Sequence, residues 1–277
     1  MAASARRFMT VVSFAGWAML LALALYGAAM AWLWFKQEKL LFAPDVLAAS
    51  HPLAKAPDIH ELTIDVPGAT LSALHLRLPA PKGVVFFLHG NGGSLESWFI
   101  NPEFYRRANY DLFMIDYRGY GKSTGQIESE AQLRADVRAA WATVAPQYAG
   151  RKVVFYGRSL GTGLAAGLAA ELGDIPDLTV LVSPYISMIS LAAEHYRWVP
   201  GVLLRYPLRT SELVGRIRGP LMLIHGDQDP VIPSSHSDTL KMLAPQAMLL
   251  HIAEAAHNDL QDFEAYLNAF ARALADL

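Results

Sequence analysis

The sequence predicts an α/β domain with a mostly parallel β-sheet, flanked by helices and preceded by one membrane-spanning helix. Two observations indicate this class. From residue 84 onward, short apolar runs of strand length alternate with stretches of helical spacing, which is typical of a parallel sheet covered by helices. The chain also contains a long uncharged run near its N-terminus, and its 53% hydrophobic content is high for a soluble domain.

The uncharged run extends from Phe8 to Phe35, which is longer than the about 20 residues that a helix needs to cross a bilayer core. Aromatic residues crowd its C-terminal end, where an interfacial belt would lie. Arg6 and Arg7 precede the run, whereas the lysines that follow it are offset by Glu38. This slight bias favours an N-terminus in the cytoplasm and a domain on the other side of the membrane.

A cleaved signal peptide is the alternative interpretation of this run, because Ala29–Ala31 has the small-x-small form of a cleavage site. The run is longer than a signal-peptide core, however, and the bulky Trp32 follows the candidate cut. We therefore predict an uncleaved anchor over residues 1–37, inserted through residues 8–35 and with a short cytoplasmic end. The domain over residues 38–277 is then extracytoplasmic, and periplasmic if the source is bacterial.

Periodicity predicts the elements of the domain. Two alternating stretches, 60–66 and 71–78, flank a Pro-Gly pair and indicate a β-hairpin. Continuous apolar runs predict buried strands at 84–88, 112–115, 153–156, 178–182, 221–224 and 248–252. Helical spacing predicts helices over 128–144, 160–172 and 260–274. The segment 184–219 is longer than one crossover requires, so we predict a small lid insertion there.

A serine lies at the turn between the strand at 153–156 and the helix at 160–172. Its neighbours Gly157 and Gly161 remove the Cβ atoms that would clash in such a sharp reversal. Gly-x-Ser-x-Gly in this setting presents the hydroxyl as a nucleophile, provided that a nearby base takes its proton. Ser159 is therefore a candidate nucleophile.

Two later loops provide the groups that such a nucleophile needs. Asp227 and Asp229 follow the strand at 221–224, and His257 follows the strand at 248–252. Because the carboxyl ends of parallel strands meet at one edge of a sheet, we expect these side chains to lie near Ser159. His257 is the candidate base, and the residues alone leave both aspartates open as its carboxylate partner.

Five motifs occur in the order found in the α/β-hydrolase superfamily, and within it the chain resembles the membrane-anchored serine hydrolases of the ABHD type. The motifs are HGNGG at 89–93, DYRGYG at 116–121, GRSLG at 157–161, HGDQD at 225–229 and HND at 257–259. The resemblance covers the chain from about residue 38 to its end, and the anchor matches the same branch. It implies the α/β-hydrolase fold.

The resemblance also assigns roles. It selects Asp229, which follows His-Gly after two residues, as the acid that orients His257, and leaves Asp227 to shape the turn through hydrogen bonds to the backbone. The backbone amides of Asn91 and Leu160 become the oxyanion donors.

Two other positions bear on the resemblance. In the family the loop of Asp116 and Arg118 shapes the floor of the site, so these two side chains are expected to be available for an ion pair and backbone contacts. One residue departs from the family pattern, because Ala256 stands where a glycine often precedes the histidine.

Other classes of site find no support in the sequence. The chain has no cysteine and no His-Glu-x-x-His motif, which argues against a zinc hydrolase, and its net charge of −2 argues against nucleic-acid binding. Gly121-Lys122-Ser123 lacks the earlier glycine of a phosphate-binding loop, since Asp116 stands there. The strand that follows Gly161–Ala166 ends without the acidic residue of a dinucleotide site.

We predict a membrane-anchored serine hydrolase that cleaves small-molecule or lipid carboxylic esters without cofactor or metal. Cleavage of thioesters or amides by the same triad is one alternative, and a non-catalytic membrane-tethered scaffold is another. The lid insertion has enough apolar side chains for an acyl pocket: Ile186, Met188, Ile189, Leu191, Tyr196 and Trp198.

Overall fold

The computed structural model describes the backbone of residues 2–277 and the side chains of residues 14–277. Its strands are β1 (Ile59–Val66), β2 (Ala69–Leu76), β3 (Gly83–Leu88), β4 (Tyr110–Ile115), β5 (Lys152–Arg158), β6 (Leu178–Val182), β7 (Leu221–Gly226) and β8 (Met248–Ile252). Its helices are α1 (Ala2–Leu41), α2 (Leu95–Trp98), α3 (Pro102–Ala108), α4 (Glu130–Val144), α5 (Leu160–Leu172), α6 (Met188–His195), α7 (Ser235–Leu243) and α8 (Glu264–Ala275).

All these strands form one sheet in the order β1-β2-β4-β3-β5-β6-β7-β8. The β1–β2 hairpin makes an antiparallel edge, and the sheet is parallel from β4 to β8. From β3 the chain moves to β4 on one side and then crosses to β5 on the other. The loops after β3 and β5 therefore diverge and leave a crevice at their carboxyl ends, where open α/β sheets bind ligands.

Apolar side chains cover both faces of the sheet, and β3 is buried along its whole length. On one face, α4 and α5 pack through residues such as Trp141 and Leu164. On the other face, α3 and α8 meet through Phe104 and Phe270, whose rings stack with centroids 5.4 Å apart. A strand covered on both sides needs a continuous apolar sequence, which is why these strands were recognisable from their composition.

The predicted hairpin, strands and mostly parallel sheet are confirmed. The predicted helix over 260–274 begins as a 3₁₀ turn over Leu260–Asp262 before α8. The short helices α2 and α3 were not predicted. The insertion at 184–219 contains α6 and three 3₁₀ turns, namely Gly201–Leu203, Thr210–Glu212 and Val214–Arg216.

Helix α1 continues four residues beyond the predicted end of the anchor, to Leu41. Its segment Phe14–Leu41 is long and apolar enough to cross a membrane, and almost all of it is exposed outside the domain. Met1 and the side chains of residues 8–13, which belong to the predicted anchor, lie outside the described part of the chain. The anchor and its boundary at residue 37 stay predictions.

Candidate active site

Ser159 sits between β5 and α5 with φ 50° and ψ −116°, a backbone conformation that side-chain-bearing residues rarely adopt. Its amide donates to the carbonyl of Val182, 2.9 Å away. A Cβ on Gly157 would lie 2.5 Å from the Gly161 carbonyl oxygen, and a Cβ on Gly161 would overlap the carbonyl of Leu88. The structure therefore confirms that this turn requires both flanking glycines.

The side chains of Ser159, His257 and Asp229 form one hydrogen-bonded chain. His257 Nε2 lies 3.0 Å from Ser159 Oγ, and His257 Nδ1 lies 2.6 Å from Asp229 Oδ2. With Nδ1–H donating to the carboxylate, Nε2 keeps its lone pair for the hydroxyl proton. The three residues predicted from separate loops are thus brought together in the arrangement that nucleophilic catalysis needs.

Asp229 is buried, and each of its carboxylate oxygens has a partner. Oδ1 accepts from the amides of Val231 and Ile232 at 2.9 and 2.8 Å, while Oδ2 faces His257 and also lies 3.4 Å from His225 Nε2. Burial alone would raise the pKa of Asp229, but the hydrogen bonds from both histidines and the Ile232 amide hold it well below its ordinary value. The carboxylate is therefore ionised at neutral pH.

Asp227 lies away from this chain of hydrogen bonds. Its Oδ1 is 2.9 Å from Nδ1 of His251, and both side chains are partly exposed. The prediction that Asp227 shapes the turn by side-chain bonds to the backbone is wrong, because Asp229 itself makes those bonds, through the amides of Val231 and Ile232. A single carboxylate thus both orders the acid loop and contacts His257.

Arg158, inside the Gly-x-Ser-x-Gly motif, was missed by the sequence analysis. Its buried guanidinium donates to the carbonyl of His257 at 3.0 Å and to Oε1 of Gln261 at 2.8 Å. It also lies over the ring of Trp98, 5.7 Å from the centroid. Arg158 therefore ties the turn that carries Ser159 to the loop that carries His257. The sequence signal that could have identified Arg158 was a charged residue in a turn between two elements predicted to be buried.

The loop around His257 is closed by polar contacts. Asp259 Oδ1 accepts from the amide of Ala256 at 2.7 Å, and the Ala255 carbonyl accepts from the amide of Gln228 at 2.9 Å. A Cβ on Gly226 would overlap that same carbonyl, so the acid and base loops are in direct contact. Ala256 is outside the set of described residues with positive φ, which explains why alanine is tolerated where the family often has glycine.

The glycine-rich loop after β3 packs directly against Ser159. A Cβ on Gly90 would lie 3.4 Å from the Cβ of Ser159 and 2.8 Å from the ring of Trp98. Trp98 in turn donates from Nε1 to the Gly92 carbonyl at 2.7 Å. Leu160 is the first residue of α5, where backbone N–H groups have no partner within the helix. Both predicted sources of oxyanion donors thus flank the serine.

The side chain of Asn91 is directed to the end of α1. Its Nδ2 donates to the carbonyl of Leu41 at 2.6 Å, and its Oδ1 accepts from the amide of Ala43 at 3.1 Å and from the hydroxyl of Tyr120 at 2.8 Å. Only the backbone amide of Asn91, and not its side chain, had a role predicted from the sequence. The loop that would hold the oxyanion is therefore fixed by the residues that leave the candidate membrane helix.

Asp116 and Arg118 do not pair, so that expectation is wrong. Arg118 instead forms a buried, two-pronged ion pair with Asp136 of α4, with N–O distances of 2.6 and 2.9 Å. Asp116 accepts from the amide of Leu95 at 2.9 Å and so helps to hold the start of α2. A guanidinium binds a carboxylate best when two of its N–H groups face the two carboxylate oxygens. Asp136 on α4 faces Arg118 in this way, whereas Asp116 in the same loop as Arg118 does not.

A cavity of about 290 Å³ lies beside these loops. Its lining is Asn91, Gly92, Gly93, Ser97, Trp98, Ile100, Arg158, Asn258 and Gln261. None of the insertion contributes to it. Of the residues expected to form an acyl pocket, Met188 and Leu191 pack against the core, whereas Tyr196 and Trp198 are exposed. Among the side chains of residues 14–277, no cluster of three or more metal-ligating groups occurs.

Comparison with known proteins shows which family the chain belongs to. The family described as serine aminopeptidase, S33, matches residues 79–207. The α/β hydrolase domain-containing protein 17B of Xenopus laevis is 31% identical over 75% of this chain and 72% of that protein. The chain belongs to the α/β-hydrolase superfamily. An uncharacterized protein of Mycobacterium tuberculosis is 28% identical to this chain and is matched over 88% of this chain and 89% of its own length.

Solved structures of α/β-hydrolases share the fold. An esterase of Pyrococcus furiosus, Pf2001, superposes with a TM-score of 0.67 over 85% of this chain and 98% of its own, at 20% identity. The thioesterase domain of the curacin biosynthetic pathway gives a TM-score of 0.59 at 15% identity, over 79% of this chain and 99% of that domain. At such identities the likeness establishes the fold alone, and it confirms the predicted α/β-hydrolase fold class.

Proposed function

We propose that this α/β-hydrolase is a membrane-anchored serine hydrolase that cleaves carboxylic esters through an acyl-enzyme. The observation that carries the proposal is the continuous hydrogen-bonded chain from Ser159 Oγ through His257 to the buried carboxylate of Asp229. A scaffold protein has no need of a serine held in a strained backbone conformation beside a correctly oriented imidazole.

Acylation begins when His257 Nε2 takes the proton of Ser159 while Oγ bonds to the carbonyl carbon. The electron pair of the C=O π bond moves onto oxygen, where the amides of Leu160 and Asn91 donate to it, each contributing about 3 kcal/mol. Asp229 stabilises the imidazolium that forms. His257 then gives its proton to the alkoxide leaving group as the C–O bond breaks.

Deacylation repeats the sequence with water. His257 removes a proton from a water molecule, whose oxygen attacks the acyl carbon bound to Ser159. The bond from carbon to Oγ breaks, Oγ recovers its proton from His257, and the carboxylic acid leaves. Every proton transfer passes through one histidine nitrogen, so this mechanism requires no cofactor.

Membrane attachment rests on α1, whose segment Phe14–Leu41 is exposed, apolar and long enough to span. Flanking charges favour an extracytoplasmic domain. Protease protection of the full chain in sealed and in opened membranes tests this orientation. An anchored site meets ester substrates of the membrane at a raised local concentration, so lipid or acylated molecules are the preferred substrate class.

Labelling by a fluorophosphonate probe tests the mechanism. The full-length protein in detergent should be labelled, and Ser159→Ala should abolish labelling. Ser183→Ala is the matched control, because Ser183 is also buried at a strand end with a positive φ of 49° and should leave labelling intact. Absence of labelling in folded wild type would favour the non-catalytic scaffold.

A second experiment separates substrate classes. Hydrolysis rates are measured on an ester, a thioester and an amide that share one acyl chain, and then on esters of increasing chain length. We expect the ester to be cleaved faster than the amide and long chains to be accepted. A rate that collapses beyond short chains would count against a lipid substrate.

A further inference from the structure

The lid insertion is bonded directly to the candidate membrane helix. The hydroxyl of Tyr26 donates to the carbonyl of Trp198 at 3.0 Å. Gln37 donates from Nε2 to the Leu203 carbonyl at 2.8 Å and accepts the Arg205 amide on Oε1 at 2.6 Å. We call residues 198–204 the apolar loop, because none of its side chains is charged. The apolar loop therefore lies along α1 between Tyr26 and Gln37.

The position of Tyr26 along α1 sets the depth of the apolar loop. If the aromatic residues from Trp32 to Phe35 mark the membrane interface, Tyr26 lies about 9 Å to the bilayer side of it, at 1.5 Å per residue. If the hydrocarbon core instead starts at Phe8 and takes about 20 residues, Tyr26 lies at its far boundary. In both placements the part of the loop that touches Tyr26 is at or below headgroup level.

The surface of the apolar loop suits that depth. Trp198 is 57% exposed and Val202 is 85% exposed, although both are large and apolar. Tryptophan is enriched at membrane interfaces, and exposed apolar groups that lie together mark a contact surface. Arg197, which is exposed, precedes the loop and can hold its charge at the headgroups.

Part of the backbone of the apolar loop has hydrogen-bond partners that do not depend on water. Amides of Val199, Leu203 and Leu204 donate to carbonyls within the loop or just before it, at 2.9 to 3.1 Å. The carbonyls of Trp198 and Leu203 are satisfied by side chains of α1. These partners lower the cost of bringing this non-helical backbone to headgroup depth.

We propose that the apolar loop is a second membrane contact, which inserts Trp198 and Val202 into the bilayer beside α1. This rests on the proposed role of α1 as an anchor. The insertion reaches the acid loop as well, because His195 of α6 lies with Nε2 3.0 Å from the Val231 carbonyl.

The absence of cysteine allows a direct measurement of depth. Three variants of the full chain, Val202→Cys, Leu21→Cys and Ile175→Cys, are labelled with a nitroxide and reconstituted into phosphatidylcholine vesicles. Leu21 lies within the exposed span of α1, and Ile175 is 48% exposed before the amino end of β6, whereas the insertion that contains the apolar loop follows the carboxyl end of that strand. Relaxation by oxygen reports lipid exposure, and relaxation by a water-soluble nickel chelate reports water exposure.

We expect the labels at Val202 and Leu21 to be relaxed by oxygen and shielded from nickel, and the label at Ile175 to show the reverse. Fluorophosphonate labelling of each variant confirms that the domain is folded. A Val202 label that behaves like Ile175 while Leu21 stays shielded would overturn the second contact and leave the anchor intact. Nickel access at Leu21 as well would overturn the anchor and, with it, this proposal.

Discussion

The loops on the two sides of Ser159 are held in different ways. On the acid–base side, the domain supplies every contact described: Asp229 accepts from amides of its own loop, and Arg158 fixes the carbonyl of His257. On the oxyanion side, Asn91 bonds to Leu41 and Ala43, which lie at the end of α1 and directly after it. The acid–base half of the site is thus held by contacts within the domain, whereas the oxyanion half is also held by the end of α1 and the residues after it.

The chain after α1 adds to this dependence. The amide of Asp45 donates to the Gly93 carbonyl at 2.9 Å, and the Asp45 carbonyl accepts the Gly121 amide at 2.8 Å. Leu47 then donates to the Gly121 carbonyl at 2.8 Å. The segment after the helix is therefore hydrogen-bonded to the glycine-rich loop at Gly93 and to the next loop at Gly121. It follows that the end of α1 and the segment after it are a structural part of the candidate site.

The largest effect should come from the acid–base side. Asp229→Asn removes the charge that stabilises the imidazolium and favours the wrong tautomer of His257, so kcat should fall roughly 10³–10⁴-fold. Asp227→Asn is the matched control, because Asp227 contacts only His251 among the described side chains, and it should stay within about twofold. Equal losses in both variants, measured by ester hydrolysis, would contradict the assignment of Asp229.

A smaller loss is expected on the oxyanion side. Asn91→Ala removes the bonds to the end of α1 and loosens the loop whose amide we propose as a donor, so kcat should fall about 10-fold or more with little change in KM. Asn258→Ala is the control, because Asn258 lines the same cavity without contact to α1. Unchanged kcat in Asn91→Ala would show that the domain holds this loop unaided.

Arg158→Lys tests the internal brace of the acid–base side. Lysine keeps the positive charge but lacks the fork that reaches both the His257 carbonyl and Gln261, so kcat should fall several-fold, on the order of 5-fold. Gln261→Ala removes only one arm and should lose less. If Arg158→Lys keeps full activity with an unchanged melting temperature, the brace is dispensable.

The smallest kinetic effect is expected where α1 meets the insertion. Gln37→Ala leaves the Leu203 carbonyl and the Arg205 amide without their partner, which should lower stability by about 1 kcal/mol, or roughly 2–4 °C in melting temperature. The rate on soluble esters should hardly change. Lys36→Ala, at an exposed position next to it, should alter neither quantity and serves as the control.

The sequence was sufficient to predict the strands, the main helices and the meeting of Ser159 with His257 and one of two aspartates, because strand ends and turn glycines are encoded locally. The choice of Asp229 over Asp227 came from the family resemblance. Their catalytic roles stay a proposal. Pairings between distant side chains could not be predicted from spacing. Arg118 selects Asp136 on a helix instead of its loop neighbour, since only the folded chain shows which carboxylate faces the guanidinium.

The end of α1 illustrates the same limit. Gln37 and Glu38 look like the polar boundary of an anchor, and the prediction ended there. In the fold, the insertion covers both residues: Gln37 bonds to its backbone, and Glu38 pairs with Arg205 and accepts from Tyr206. Polar side chains with partners in a distant segment allow the helix to continue to Leu41.

The junction after Leu41 is hydrogen-bonded to the domain and is not a flexible linker. A flexible linker of ten residues would give a domain a reach of about 16–19 Å, whereas here the residues after the helix are hydrogen-bonded from Ala43 to Leu47. With α1 as the proposed anchor, Ser159 is held at a constant height above the bilayer and searches in two dimensions. Ser159 can therefore reach ester bonds of membrane molecules that lie at that height. It cannot reach ester bonds that are held farther from the membrane surface.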